Sequence, residues 1–248
     1  MTDDRPRVAV FRPDDDRLTA ARTLLDELGV AAVGDPMLSV EPTGATPADA
    51  DYVVFTSKTG AELVAAAGWE PGTATVAAIG PKTADALEAA GYDVDLVPAA
   101  FTSAGLVDLL ADRVGDATVE VARSDHGSEV LTDGLEAAGA YVHETILYRL
   151  VRPDGAGESA ELAAEGDLDA ALFTSSLTVE HFLDAAAERG VREDAVAGLA
   201  EAAVGVIGEP TRETADSLGI AVDVVPERAD FEELACATIE DGAPTYTE

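Results

Sequence analysis

Lysine is almost absent from this chain of 248 residues, which contains only Lys58 and Lys82 among its 15 basic residues. Aspartate and glutamate together number 49, so the formal net charge is −34. This charge argues against a nucleic acid or an anionic membrane as a partner, because both would be repelled. The acidic residues are scattered rather than grouped, and 47% of the chain is hydrophobic. We therefore interpret the chain as a folded protein with an acidic surface.

A lysine-poor acidic surface suits a protein that stays soluble in concentrated salt. Dissolved ions there screen the repulsion between carboxylates over a few ångströms. The composition therefore predicts a halophilic source, which is a statement about environment and not about activity.

Cysteine and histidine are also scarce. Cys236 is the single cysteine, so an intrachain disulfide and a multi-cysteine metal site are excluded. The three histidines, His126, His143 and His181, are far apart and form no metal-binding helix motif. Neither a glycine-rich nucleotide fingerprint nor a Gly-x-Ser-x-Gly turn is present, so we expect no metal and no cofactor. Because the chain has no long apolar run and no export signal, we expect it to be cytoplasmic, with no membrane segment.

The sequence contains an internal repeat. The segment from Asp51 to Ser57 returns from Asp169 to Ser175, and residues 76–98 return as residues 204–226. A duplication of this size indicates two similar α/β modules. A cleft between the modules is the first place where we expect a functional site.

Apolar runs without alternation, each followed by a helical pattern, predict parallel strands covered on both faces. The predicted strands are residues 7–11, 53–56, 75–79, 94–97, 119–122, 170–174, 204–207 and 222–225. Each module is then an open, parallel α/β sheet of flavodoxin-like type with four or five strands. Segments 36–42 and 141–151 read as two paired linker strands. The repeat leaves open whether the first strand-helix unit stays in its own sheet or crosses to the other one.

Ligand sites of open parallel sheets lie beyond the carboxyl ends of the strands. Hydroxyl groups and free amides at the helix starts there favour carboxylates or phosphates as ligands. The candidate binding residues in these loops are Arg12, Thr56, Ser57, Lys58, Gly80, Lys82, Thr83, Arg123, Thr174, Ser175, Ser176 and Gly208. Two explanations that involve no ligand remain open. The lysines could lie at exposed helix starts by chance, and Arg12 and Arg123 could neutralise nearby aspartates.

Tyr148 lies in the second linker segment. Its phenol could pack, form a hydrogen bond, or donate a proton to a leaving oxygen. The sequence alone leaves these three roles open.

Several motifs in a fixed order carry a family resemblance. They are Arg12-Pro13, Phe-Thr-Ser at 55–57 and 173–175, Ile-Gly-Pro-Lys-Thr-Ala at 79–84, Tyr148-Arg149, and the segment from Val204 to Thr211. With this order and spacing the whole chain resembles the uroporphyrinogen-III synthase family of the haem, sirohaem and cobalamin pathway. The resemblance implies two flavodoxin-like domains, residues 1–35 with 152–248 and residues 43–140, joined by a two-stranded ladder. It also implies that the first strand-helix unit belongs to the C-terminal domain.

The resemblance further implies a cofactor-free lyase that closes hydroxymethylbilane to uroporphyrinogen III, with inversion of ring D and loss of water. Motif matching assigns catalytic roles to Tyr148, which would help the hydroxide leave, and to Thr211. It also implies that the hydroxyls of Thr56, Ser57, Thr83 and Ser175 face the substrate. We expect a monomer, with hydroxymethylbilane synthase as a candidate transient partner.

Two other functions stay open. One is a non-catalytic tetrapyrrole-binding or regulatory module with the same fold, and the other is a two-lobed binding protein for small organic acids. Glu209 departs from the family pattern and brings a carboxylate close to the expected anionic ligand.

Overall fold

The computed structural model describes residues 5–242 of the chain. The strands are β1 (Arg7–Phe11), β2 (Ala31–Gly34), β3 (Ser39–Pro42), β4 (Tyr52–Phe55), β5 (Thr75–Ala78), β6 (Thr118–Ser124), β7 (Tyr141–Val151), β8 (Ala170–Phe173) and β9 (Ala203–Val206). The helices are α1 (Asp16–Glu27), α2 (Lys58–Ala66), α3 (Pro81–Ala89), α4 (Ser103–Leu110), α5 (Glu129–Ala137), α6 (Glu158–Glu165), α7 (Ser176–Glu188), α8 (Arg192–Leu199), α9 (Glu209–Ser217) and α10 (Phe231–Gly242).

These elements divide into two compact units. The first unit combines the residues up to Ser39 with those from Val151 onward, and the second runs from Val40 to Leu150. The chain therefore passes from one unit to the other twice, once within β3 and once at the end of β7.

The first unit contains a four-stranded sheet in the order β2-β1-β8-β9, with every pair parallel. The first strand of the chain thus lies between β2 and a strand from the C-terminal part. Phe11 of β1 stacks on Phe173 of β8 with ring centroids 4.4 Å apart, and Phe182 of α7 meets both rings edge-on. Each such ring pair contributes about 1 kcal/mol beyond its buried area. The aromatic cluster holds α7 against the sheet, directly after the turn that carries Ser175.

The second unit contains a five-stranded sheet in the order β3-β7-β6-β4-β5. The pairs β7-β6, β6-β4 and β4-β5 are parallel. The strands β7, β6, β4 and β5 follow the same order as β2, β1, β8 and β9 of the first unit. The predicted α/β class with parallel sheets is therefore confirmed.

Two predicted strands, residues 94–97 and 222–225, are reduced to single bridges, Ala77 to Leu96 and Gly205 to Val224. An aspartate causes the interruption in each case. The amide of Val76 donates to the carboxylate of Asp95 at 2.8 Å, and the amide of Val204 donates to Asp223 at 2.8 Å. Because these amides donate to a side chain and not to a backbone carbonyl, a longer backbone ladder does not form.

The two segments interpreted as linker strands contain β3 and β7, which are neighbours in the five-stranded sheet. Strand β2 was not predicted. Its sequence, Ala-Ala-Val-Gly, is poor in the β-branched and aromatic residues that mark strands. It forms because its backbone pairs with β1 over four residues.

Candidate active site

Parallel strands of one sheet end at the same edge, so the candidate loops of each unit come together there. In the second unit this edge carries Thr56, Ser57, Lys58, Gly80, Lys82, Thr83, Arg123 and Tyr148. In the first unit it carries Arg12, Thr174, Ser175, Ser176, Gly208 and Thr211. The topology thus collects the predicted residues at one edge of each sheet.

Tyr148 is buried, with 7% of its surface exposed, and packs in the apolar cluster that contains Phe55 and Leu147. Its phenol oxygen lies 3.0 Å from Ser57 Oγ and forms a hydrogen bond with it. The ring is therefore held by packing and its hydroxyl by a single polar partner. The phenol both packs and forms a hydrogen bond, which are two of the three roles left open by the sequence.

An irregularity in β7 sets the direction of the Tyr148 side chain. Arg123 of β6 pairs with Ile146, but the next residue, Ser124, pairs with Tyr148. Leu147 is therefore an extra residue on β7, and such a bulge turns the following side chain to a different face. Without it, Leu147 would take the register position of Tyr148.

Ser57 caps the N-terminus of α2, because its side-chain oxygen accepts the amide of Gly60 at 3.0 Å. The neighbouring Thr56 hydroxyl donates to the carbonyl of Ala122 on β6. A hydrogen and a lone pair of Ser57 Oγ remain for the contact with Tyr148. The serine therefore links the helix start to the phenol.

The repeated Phe-Thr-Ser motif performs the same two tasks in the first unit. Thr174 donates to the carbonyl of Phe11 at 2.6 Å, and Ser175 caps α7 in a capping box with Thr178. Ser176 donates to the carbonyl of Pro210 at 3.1 Å and accepts from Thr214 at 2.8 Å. Within the described residues these hydroxyls serve the turns themselves, and no tyrosine hydroxyl is bonded to Ser175.

Thr83 and Thr211 occupy equivalent places, each three residues after the glycine that precedes its helix. Both are buried, with 4% and 3% of their surfaces exposed. Within residues 5–242 neither hydroxyl forms a hydrogen bond. Gly80 and Gly208 precede α3 and α9 without any capping side chain, and proline occupies the first turn of both helices. Each of these helix starts therefore carries a buried threonine hydroxyl without a hydrogen-bond partner in the described part of the chain.

The two lysines differ in their surroundings. Lys58 pairs with Glu62 at 3.1 Å, and both side chains are exposed. For Lys82 no carboxylate lies within 4 Å among residues 5–242. An exposed pair contributes little to stability, so Lys82 is the more available cation of the two.

Arg12 is partly buried in the first unit. Its guanidinium lies 4.4 Å from the ring centre of Phe231, and its Nε is buried without a hydrogen-bond partner among the described residues. Burial lowers the pKa of Arg12, the charge of Arg17 lowers it further, and nearby carboxylates oppose both effects. The side chain is thus an incompletely satisfied cation at the sheet edge.

Arg123 is buried, and each of its three guanidinium nitrogens has a partner. Nη2 donates to the carbonyl of Gly127 at 2.8 Å, Nη1 donates to that of Ser128 at 3.2 Å, and Nε pairs with Glu144 at 2.9 Å. These contacts hold the loop that follows β6. The arginine therefore supports the edge of the sheet from inside, unlike its repeat counterpart Arg12.

Sequence reasoning missed the role of Asp125 in the same loop. Its amide donates to the carbonyl of Tyr148 at 3.3 Å, and its carboxylate accepts the amide of Leu150 at 3.0 Å. Burial raises the pKa of Asp125, but hydrogen bonds from His126 and Leu150 outweigh that effect, so the net pKa lies below its ordinary value. The only signal in the sequence was the position of Asp125 at the end of an apolar run.

Glu209, which departs from the family pattern, is paired with Arg212 at 2.6 Å. The hydrogen bond and charge of Glu209 raise the pKa of Arg212. The ion pair reduces the negative charge that Glu209 adds at the start of α9. The negative charge that this departure from the family pattern introduces is therefore offset by Arg212.

Between Arg5 and Gly242 no three His, Cys, Asp or Glu side chains are grouped so that they could hold a metal ion. None of the described helices has the length and apolar character that crossing a membrane requires.

Comparison with known proteins gives the family. Residues 19–236 match the family described as "Uroporphyrinogen-III synthase HemD". The chain belongs to the uroporphyrinogen-III synthase family. A putative uroporphyrinogen-III synthase of Methanothermobacter thermautotrophicus is 34% identical over 196 residues, covering 75% of this chain and 76% of the relative. The uroporphyrinogen-III synthase of Synechococcus elongatus is 28% identical, covering 89% of this chain and 87% of the relative.

Solved structures show the same fold. A crystal structure of a mutant uroporphyrinogen III synthase from Thermus thermophilus has a TM-score of 0.67 at 18% identity, covering 96% of this chain and 98% of that one. Uroporphyrinogen-III synthetase of Helicobacter pylori has a TM-score of 0.59 at 13% identity, with coverage of 96% and 100%. The family and the enzyme class predicted from the sequence, a cyclising lyase of haem biosynthesis, are thus confirmed.

Proposed function

We propose that this chain closes hydroxymethylbilane to uroporphyrinogen III, with Tyr148 as the group that protonates the leaving hydroxide. The observation that carries the proposal is the buried Tyr148 phenol, bonded to Ser57 at the carboxyl edge of a parallel sheet. In a chain of the uroporphyrinogen-III synthase family, a fixed proton donor at this edge has a role that packing alone does not require.

The proposed first step breaks the C–O bond of the terminal hydroxymethyl group. The phenol proton of Tyr148 leaves with the hydroxide as water, and the organic fragment becomes an electrophilic azafulvene cation. Attack by the substituted carbon of ring D gives a spirocyclic intermediate, which fragments and recloses with that ring inverted. The proton lost on final closure returns to the phenolate, so the protein is regenerated.

Ser57 supports the phenol during this step. Its Oγ already accepts the Gly60 amide at 3.0 Å, so it keeps one hydroxyl hydrogen to give. As charge develops on Tyr148 Oη, the serine hydroxyl turns toward it and donates. The start of α2 adds a favourable field for the same negative charge. We therefore assign Ser57 as a positioning residue in addition to its cap.

The carboxylate arms of the substrate need cations, amides and hydroxyls. We propose that Lys82 and Arg12 supply charge, and that Thr83 and Thr211 supply the free hydroxyls of the two glycine-led helix starts. The catalytic role that motif matching assigns to Thr211 would act through this hydroxyl. The remaining candidates shape the turns or offer backbone amides: Thr56, Lys58, Gly80, Arg123, Thr174, Ser175, Ser176 and Gly208.

One assay tests the proposal. Hydroxymethylbilane is generated in situ, the protein is added in molar potassium chloride, and the oxidised type III and type I isomers are resolved. Because the substrate also closes unaided to the type I isomer, the expected result is a large excess of type III. A product identical to the control without protein would instead support the non-catalytic binding module.

We also propose the domain type, the source, the location and the assembly state of the protein. Each unit is proposed to be a flavodoxin-like domain, with β3 and β7 as the ladder that connects them. A halophilic source, a cytoplasmic location, a monomeric state and transient contact with hydroxymethylbilane synthase also remain predictions.

A further inference from the structure

Phe101 is an exposed aromatic residue that lies outside the hydrophobic core. It has 59% of its surface exposed, the most of any phenylalanine among the described residues, and belongs to neither core cluster of the second unit. It precedes Thr102, which caps α4 by accepting the amide of Gly105 at 3.0 Å. Neither core cluster of the second unit therefore accounts for an aromatic side chain at this position.

The repeat shows that the turn itself does not need an aromatic residue. At the corresponding point of the first unit, Asp230 takes the place of Thr102 and accepts the amide of Glu233 at 3.2 Å. The residue before it is Ala229. The same turn and cap thus form with alanine in one unit and phenylalanine in the other, so Phe101 is available for another role.

Gly80 lets the ring lie against the start of α3. A Cβ atom at Gly80 would lie 3.2 Å from Phe101 Cβ and 3.3 Å from its Cγ, closer than ordinary contacts. The backbone of Gly80 is extended, with φ of −173°, a conformation open to any residue. The close approach of the Phe101 ring therefore favours glycine here, whereas backbone strain does not.

The helix start against which the Phe101 ring lies carries polar residues. Lys82 and the buried Thr83 follow Gly80 in the first turn of α3, and both have groups free of partners in the part of the chain described. A flat apolar face beside a cation and a hydroxyl fits a flat heteroaromatic ring that carries carboxylate arms. A pyrrole ring of the proposed substrate has this composition.

We propose that Phe101 packs against the face of one pyrrole ring of hydroxymethylbilane, while Lys82 and Thr83 bind that ring's carboxylate. The inference rests on the proposed function. It adds a substrate contact that is present in one unit only, because Ala229 offers no ring.

The test compares Phe101→Ala, Phe101→Leu and Phe101→Tyr in the isomer assay. Phe101→Ala should raise the KM for hydroxymethylbilane about three- to tenfold, with a smaller change in kcat, because a stacking contact has been removed. Phe101→Tyr keeps the flat face and should restore the KM, whereas Phe101→Leu should restore it only in part. The matched control is Tyr141→Ala, which removes another exposed aromatic residue, 63% exposed, at the amino end of β7.

A double-mutant cycle with Gly80→Ala adds an independent measurement. Because alanine at position 101 keeps Cβ but lacks the ring atoms, Gly80→Ala should raise the KM in the wild-type background and have a smaller effect when Phe101 is alanine. If wild-type protein produces excess type III isomer while Phe101→Ala keeps the wild-type KM, or Tyr141→Ala raises it equally, only the Phe101 inference is overturned. If wild-type protein produces no excess type III isomer, the proposed function fails first.

Discussion

Tyr148 Oη lies 3.0 Å from Ser57 Oγ, although the two residues are 91 positions apart in the chain. Ser57 caps α2, and Tyr148 follows a bulge on β7, so the contact joins a helix start to a strand end. Tyr148 is buried in an apolar cluster and Ser57 is half-buried, so packing holds the pair in place before any ligand binds. A preorganised donor of this kind is what general acid catalysis requires.

Tyr148→Phe should lower the rate of type III formation about 10- to 100-fold, because it removes the proton donor and keeps the packing. Stability should fall by only about 1 kcal/mol, the value of one lost hydrogen bond. Single-turnover isomer analysis measures the rate, and urea unfolding measures stability. Full activity in this variant would remove Tyr148 from the mechanism.

Ser57→Ala should lower the same rate about three- to tenfold and destabilise the protein by about 1 kcal/mol through the lost cap. Ser57→Thr keeps a hydroxyl and should recover most of both losses. The matched control is Ser128→Ala, which removes the cap of α5 at 3.2 Å and leaves the Tyr148 contact intact. An equal rate loss in both alanine variants would mean that the effect comes from capping alone.

Asp125→Asn should change how stability depends on pH. The folded pKa of Asp125 is lowered, so the carboxylate stabilises the protein above its unfolded pKa of about 4, and this contribution disappears as the pH falls through the folded pKa. The stability difference between wild type and variant should therefore be largest near neutral pH and vanish in acid. Urea unfolding across pH 3 to 7 measures it.

The control for that series is Asp112→Asn, which alters an exposed carboxylate without any hydrogen bond among residues 5–242. This variant should follow the wild-type pH profile with a constant offset. A constant offset for Asp125→Asn as well would show that its carboxylate makes no specific contribution.

Salt should favour activity. The net charge of −34 repels an anionic substrate in dilute buffer, whereas the Debye length falls from about 10 Å at 0.1 M to about 3 Å at 1 M salt. We expect the KM for hydroxymethylbilane to fall several-fold between dilute buffer and molar potassium chloride. Sucrose of equal osmolality serves as the uncharged control and should leave the KM unchanged. Rates that are the same in dilute and molar salt contradict this prediction.

Much of the fold could be predicted because strands covered on both faces read as apolar runs. The predicted run 7–11 is β1, and the predicted run 170–174 overlaps β8 and the turn after it. Several helix starts could be predicted as well, because some runs are followed by residues that cap helices, as Ser57 and Ser175 do. These features depend on residues that are close together in the sequence.

Other features depended on partners that sequence reasoning did not identify. Asp95 and Asp223 each bind a strand amide and shorten a predicted strand. Ala31–Gly34 forms β2 despite a weak strand signal, because the backbone of β1 is beside it. Arg12 and Arg123, which matched in the repeat, differ in the structure because only Arg123 is surrounded by loop carbonyls.

The sequence by itself determined the parallel α/β class, the repeat and the set of side chains at the carboxyl edges of the strands, because local patterns encode burial and capping. Only the tertiary structure decided that β1 pairs with β8, that Leu147 forms a bulge and that Tyr148 reaches Ser57. These are pairings between distant segments. Their register is set by how backbones and side chains pack together, which no local pattern records.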